Sequence, residues 1–351
     1  MQRYIGIDAH KESCTVVVMG PSGRRLREHL VETNGRALRE LLREIQGERH
    51  ICLEEGELAE WLYEICRPLS AEVVVTQPPR KRGPKSDKID AWARADELRR
   101  GVIKRLIFKA PGKYGVLREA VRAHLAMQGD LVRAKNRLKG LLRSRGVLRT
   151  GTDLYSPELR VDWIEKLPRL HRRRATLFGD ELDRVVDMAQ EAETWLLEEA
   201  KRTPAVKLIE TAPGIGWIRA AEIVATVVSP HRFRSSRHFW SYCGLAVVTA
   251  VSAEWERAKT GQWVRRQVPM PRGLNENRNP LMKCVFKGAA LSITRLGEEH
   301  PLRQCYDRLV TETKPNLARL TIARRLAATV LAMWKNWEVY DPKKQDRART
   351  R

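Results

Sequence analysis

Arg3-Tyr4-Ile5-Gly6-Ile7-Asp8 and Ile51-Cys52-Leu53-Glu54 are two apolar runs that each end in an acid. Both read as short strands with a carboxylate at the C-terminal end. Around the first, Tyr4–Asp8, Cys14–Met19 and Leu26–Glu32 read as three successive strands, with Gly20-Pro21-Ser22-Gly23 marking the second turn. A helix follows, with Leu38, Leu41, Leu42 and Ile45 on one stripe and Gly47 at its end. The pattern then alternates: strand Ile51–Glu54, helix Leu58–Cys66, strand Val73–Thr76, a basic loop, and helix Asp87–Arg100. Three meandering strands followed by alternating helix and strand predict an α/β domain of ribonuclease-H-like order. In that order the first and fourth strands are neighbours, which brings Asp8 and Glu54 together.

Asp87 and Asp90 stand three apart in Lys85-Ser86-Asp87-Lys88-Ile89-Asp90-Ala91, one turn apart on a single helix face. Four carboxylates at two strand ends and a facing helix form a set of hard oxygen donors that suits Mg²⁺. Such a site supports phosphoryl transfer on nucleic acid. Glu54 and Glu55 are adjacent and alternate faces of a strand, so only one should face the ion. Asp87 and Asp90 also serve as an acidic first turn favoured by the helix dipole, which does not conflict with metal binding.

The chain of 351 residues is long enough for two or three domains, and its formal charge of +23 calls for a polyanionic partner. Nucleic acid is the natural one, because each neutralised phosphate releases counterions. Pro78-Pro79-Arg80-Lys81-Arg82-Gly83-Pro84-Lys85 is either a solvated loop or, beside a metal site, a phosphate clamp of Arg80, Lys81, Arg82 and Lys85. The six cysteines form no C-x-x-C pair and lie largely in apolar runs, as expected of free thiols in a reducing, cytoplasmic setting. No apolar run reaches the roughly 20 residues of a membrane span.

Residues 111–204 read as a charged helical spacer. Ala175, Phe178, Leu182, Val185, Ala189, Ala192 and Leu196 alternate spacings of three and four, a heptad-type seam. The seam closes either an intramolecular hairpin or an oligomer contact. Residues 205–341 read as a mainly helical region, and 342–351 as a basic tail. Thr211-Ala212-Pro213-Gly214-Ile215-Gly216 lies between two apolar helical runs. It suits either the hairpin of a helix-hairpin-helix motif, with Gly214 and Gly216 letting backbone N–H groups approach a phosphate, or an ordinary turn. Trp240, Trp255 and Trp263 suit either core or base stacking. His231, His238 and His300 read as structural. Ser252, in Ala250-Val251-Ser252-Ala253-Glu254-Trp255, has no base nearby in sequence and alone reads as a loop serine.

The run Tyr4–Lys11, the Leu53-Glu54-Glu55-Gly56 stretch with Trp61-Leu62, and Lys85–Ala91 together resemble the DEDD-type transposases of bacterial insertion sequences, the IS-one-ten family. Ala212–Gly216, Arg232-Phe233-Arg234-Ser235 and Tyr242-Cys243-Gly244-Leu245 resemble that family's C-terminal domain. The resemblance implies a RuvC-like first domain (1–110) in which Asp8, Glu54, Asp87 and Asp90 bind Mg²⁺ or Mn²⁺. It further implies that Ser252 is a nucleophile forming a covalent protein–DNA link, and that a bridge RNA pairs with donor and target DNA. A homo-oligomer, dimer or tetramer, with a composite site is implied as well. Glu55-Gly56, Val247 and Ala253 depart from the common family pattern. Two other readings remain open: a RuvC-like nuclease that uses water, and an architectural DNA-binding protein.

Overall fold

The computed structural model describes residues 1–77, 87–103, 108–110, 112–148, 151–250, 255–257, 260–265 and 270–342. The chain divides into two compact units, Met1–Lys113 and Tyr114–Arg351.

The first unit is built on a five-stranded sheet. Its strands are β1 (Gln2–Ala9), β2 (Ser13–Met19), β3 (Arg25–Glu32), β4 (Glu48–Glu54) and β5 (Glu72–Thr76), in the order β3-β2-β1-β4-β5. β3, β2 and β1 are antiparallel neighbours, whereas β1, β4 and β5 run parallel. The adjacency of first and fourth strands expected from the sequence is therefore present. Helices α1 (Gly35–Glu44), α2 (Ala59–Cys66) and α3 (Asp87–Arg99) complete the unit. Asn34 starts α1 by accepting hydrogen bonds from the N–H groups of Arg36 and Ala37, a cap worth about 1 kcal/mol.

Period-two alternation sorts the strand residues between two layers. Ile5, Ile7, Val16, Val18, Ile51 and Leu53 pack with the apolar stripes of α1 and α2. Tyr4, Val17 and Met19 point the other way, onto Ala91, Trp92 and Ala95 of α3. Gly6 shares that second face, and a Cβ there would lie 2.0 Å from the Ala91 carbonyl oxygen. A glycine inside a strand marks close backbone approach, and here it lets α3 lie directly on β1.

The second unit opens with two long helices, α4 (Gly115–Arg143) and α6 (Arg169–Arg202), with the short helix α5 (Pro157–Glu165) between them. Leu117, Ala120 and Val121 share a core with Leu196 and Ala200, while Leu138, Leu141 and Leu142 share another with Ala175 and Leu182. The two helices are thus antiparallel. The heptad seam of α6 is covered by this chain's own α4, which realises the intramolecular hairpin of the two readings, with Phe178 and Val185 only half-buried at its margin. Arg137 and Glu181 tie the pair with a cross-helix ion pair. Helix α5 lies within the stretch read from the sequence as a helical spacer. It is anchored by the buried Arg160, whose guanidinium grips both carboxylate oxygens of Asp183 at 2.6 and 2.8 Å.

The remainder comprises α7 (Pro204–Glu210), α8 (Gly216–Val227), α9 (Ser236–Tyr242), α10 (Pro280–Ile293), α11 (Pro301–Glu312) and α12 (Pro315–Asn336). Four short strands interrupt it: β6 (Val247–Ala250), β7 (Trp255–Arg257), β8 (Trp263–Arg265) and β9 (Met270–Leu274), paired as β6-β9 and β7-β8. The mainly helical expectation holds with these ribbons added, because β-branched and aromatic residues at 247–264 favour strands. Among the described residues no helix is long and apolar enough to cross a membrane.

Candidate active site

β1 and β4 run parallel with Ile7 opposite Leu53, so Asp8 and Glu54 occupy the next position at the same sheet edge. Neighbouring strands lie roughly 4.8 Å apart. Both acids are of even parity, on the side of the sheet that α3 covers. Glu55, by alternation, starts on the other side, and its N–H donates to the Thr76 carbonyl. Glu54 thus starts on the same side as Asp8, and Glu55 reaches the same cleft from the following position.

Helix α3 is oriented by its contacts. Its last turn lies at the opposite edge of the sheet, where Arg99 donates to the Pro21 carbonyl in the turn after β2. Ala91 and Ala95 sit over Gly6. The first turn, which carries Asp87 and the half-buried Asp90, is accordingly directed toward the edge of Asp8 and Glu54. The side chain of Asp87 lies outside the described residues, as do Arg80, Lys81, Arg82 and Lys85 of the basic loop and Ser252.

Asp8 and Glu54 line one open cleft of about 420 Å³ together with His10, Lys11, Glu55 and Glu57. His10 Nε2 lies 3.6 Å from Asp8 Oδ2. Behind Glu54 stands a cation that the sequence reading missed: Arg94, only 2 % exposed, donates to Glu54 Oε2 at 2.9 Å and to Glu97 Oε2 at 3.0 Å. Burial pulls its pKa down, and the two carboxylates together push it above the ordinary arginine value. The available signal was its place one turn beyond Asp90, on the helix face that meets the sheet.

By donor chemistry the cleft fits a hard divalent cation, since Asp8 and Glu54 present carboxylate oxygens from rigid strand ends. The Arg94 bond occupies one oxygen of Glu54 without exhausting the group, which has about four acceptor positions. Among the described residues no group of three or more His, Cys, Asp or Glu side chains is arranged to hold a metal ion. Asp8 and Glu54 are the two of the four predicted acids whose side chains the structure places at this cleft.

In the second unit the Pro213–Gly216 hairpin joins α7 to α8. Gly214, at φ +76°, faces inward: a Cβ would lie 2.7 Å from the Ala289 carbonyl oxygen of α10, and Arg219 Nη1 donates to its carbonyl at 2.6 Å. Its glycine serves close helix packing. Gly216, at φ +62°, is exposed with open space around it at the start of α8. Of the pair proposed for phosphate contact, Gly216 is the more exposed. His238 bonds Ser235 Oγ at 2.8 Å, and His300 caps α11 by accepting from the Leu302 N–H. Five cysteines are buried and Cys284 is exposed, all of them free. Burial pushes the Cys52 and Cys66 thiols up to about 12, which removes them from nucleophilic or ligand chemistry.

Comparison with known proteins places two stretches of the chain among transposases. Residues 5–145 match the family model of DEDD transposases of the IS110 (IS-one-ten) type, and residues 206–272 match the transposase family IS116/IS110/IS902. Over 176 residues the chain is 26% identical to the transposase for insertion sequence element IS1111A of Coxiella burnetii (strain RSA 493 / Nine Mile phase I). That match covers 48% of this chain and 47% of the relative, so the similarity spans about half the length of each.

Proposed function

The chain belongs to the IS110 family of transposases, and from that premise we propose that it cuts and rejoins the DNA of an insertion sequence through a serine–DNA intermediate. The observation that carries this reading is the meeting of Asp8 and Glu54 at adjacent parallel strand ends in one open cleft. Asp8, Glu54, Asp87 and Asp90 would hold Mg²⁺ or Mn²⁺, which when bound stabilises charge on the scissile phosphate and eases removal of the attacking hydroxyl's proton.

The chain's own residues supply the rest. Ser252 Oγ forms a bond to phosphorus while the phosphorus–sugar oxygen bond breaks, and the departing sugar hydroxyl takes up a proton. A second sugar hydroxyl then displaces Ser252, so the phosphodiester is conserved and joining needs no ATP. Arg94 holds Glu54 in place, and Arg80, Lys81, Arg82 and Lys85 would grip the strand electrostatically. Guidance by a bridge RNA that pairs with donor and target DNA, and assembly as a homo-oligomer in which Ser252 meets the acidic cleft, complete the proposal.

A denaturing gel after incubation with substrate DNA and Mg²⁺ tests it. The wild type should form a protein–DNA adduct that Ser252→Ala cannot form, and Asp8→Asn should abolish cleavage with little loss of DNA affinity. Normal cleavage by Ser252→Ala without any adduct would replace serine with water as the nucleophile. Recombination by Asp8→Asn at the wild-type rate would refute the metal site.

A further inference from the structure

The ribbon formed by β7 and β8 carries two tryptophans that are exposed rather than packed into a core. Arg257 is the register partner of Trp263, and Trp255 is the register partner of Arg265. In a strand, residues two apart share a face, and so do directly opposed residues. Trp255, Arg257 and Trp263 therefore lie on one face of the ribbon, with the two tryptophans diagonal to each other. Diagonal neighbours stand roughly 7–8 Å apart. Trp255 is 55% and Trp263 66% exposed, and Arg257 is exposed as well. Arg257 Nε donates to the Gly261 carbonyl at 3.2 Å, which ties the arginine to the loop of the ribbon. Trp240, by contrast, donates its indole N–H to the Arg324 carbonyl and packs against the core.

Two exposed indoles flanking a guanidinium suit a ligand with flat apolar faces and negative charge. A protein partner would match the rings but gains nothing from the surrounding charge, which is +23 over the chain. Duplex nucleic acid buries its base faces in its own stack, whereas an unpaired strand offers each of them to an aromatic ring. The position of the ribbon selects DNA. Trp255 follows Ser252 by three residues, so covalent geometry keeps the two within about 11 Å. On the serine reading, a base stacked on Trp255 would belong to a nucleotide close to the phosphate held at Ser252.

We propose that the Trp255/Arg257/Trp263 face is a stacking platform for unpaired DNA bases flanking the cut. The placement beside the cut, and with it the choice of DNA over RNA, rests on the serine reading above; the stacking of unpaired bases does not. Strand transfer requires the bases next to a break to leave one duplex before joining another, and the platform holds them in that interval.

The test measures fluorescence anisotropy of the full chain with labelled oligonucleotides of about a dozen nucleotides, within the range one such surface spans. Single-stranded DNA, RNA of the same sequence, and the DNA duplex are compared. Trp255→Ala and Trp263→Ala are each expected to weaken binding of single-stranded DNA by about ten-fold. Trp255→Phe and Trp263→Phe should restore most of it, and duplex affinity should be unchanged. Undiminished affinity for single-stranded DNA would overturn the proposal, as would equal losses on the duplex or a loss confined to RNA. A fall in oligomer size without any change in affinity would assign the face to a second copy instead. Parallel measurements on Ser252→Ala separate the two readings. A tryptophan effect that persists while the wild type forms no adduct sinks the serine chemistry alone; a normal adduct with no tryptophan effect sinks the platform alone.

Discussion

Arg94 Nη2 lies 2.9 Å from Glu54 Oε2, while Nη1 of the same guanidinium lies 3.0 Å from Glu97 Oε2. A buried arginine thus connects a strand-end acid of the cleft to the body of α3. Two-pronged donation fixes direction as well as distance, which a lysine cannot reproduce.

Arg94→Met is expected to lower stability by about 1–3 kcal/mol, since it strips a partner from two part-exposed carboxylates. It should also cut DNA cleavage by at least about ten-fold, as expected when a reacting geometry is lost. Arg94→Lys should recover more of the stability than of the cleavage. Urea unfolding alongside a cleavage time course distinguishes the effects, and unchanged cleavage by Arg94→Met would remove the positioning role.

Glu222 in α8 is 8% exposed, and burial raises its pKa from 4.5 to about 7 against the opposing pull of Arg219. The folded chain keeps a proton that the unfolded chain releases near 4.5, so stability falls as pH rises through the window from 4.5 to about 7. The loss reaches roughly 3 kcal/mol at most by the linkage relation. Glu222→Gln should flatten this part of the pH profile and stabilise the chain at pH values above the window. Chemical denaturation across the range checks it; parallel profiles for the two proteins would show that Glu222 ionises as an ordinary surface acid.

Gly214 and Gly216 both hold positive φ, yet they differ in what surrounds them. Gly216→Ala meets only the backbone penalty of about 1 kcal/mol. Gly214→Ala adds a collision with the Ala289 carbonyl and should be the more destabilising by at least about 1 kcal/mol. Thermal unfolding of both variants gives the order, and DNA titration of Gly216→Ala reports whether the exposed turn contacts phosphate.

The alternation of Ile5 and Ile7 with Gly6 and Asp8 made the sheet and its acidic edge readable, because period two and strand-end position follow from local sequence. The partner of Glu54 was not readable. Arg94 lies 40 residues away, and whether a helical arginine turns into a sheet or into solvent is settled by tertiary packing. The seam of α6 was equally visible as a heptad, but a stripe of alanine and leucine does not state whether its cover comes from the same chain. The β7-β8 ribbon escaped because strands of three residues are too short for alternation to register.

The missing side chain at Gly6 has a mechanical consequence. With the backbone of α3 resting directly on that of β1, any side chain added at residue 6 must lift the helix off the sheet. On the proposed metal-site reading, such a lift would also displace Asp90 relative to Asp8 and Glu54.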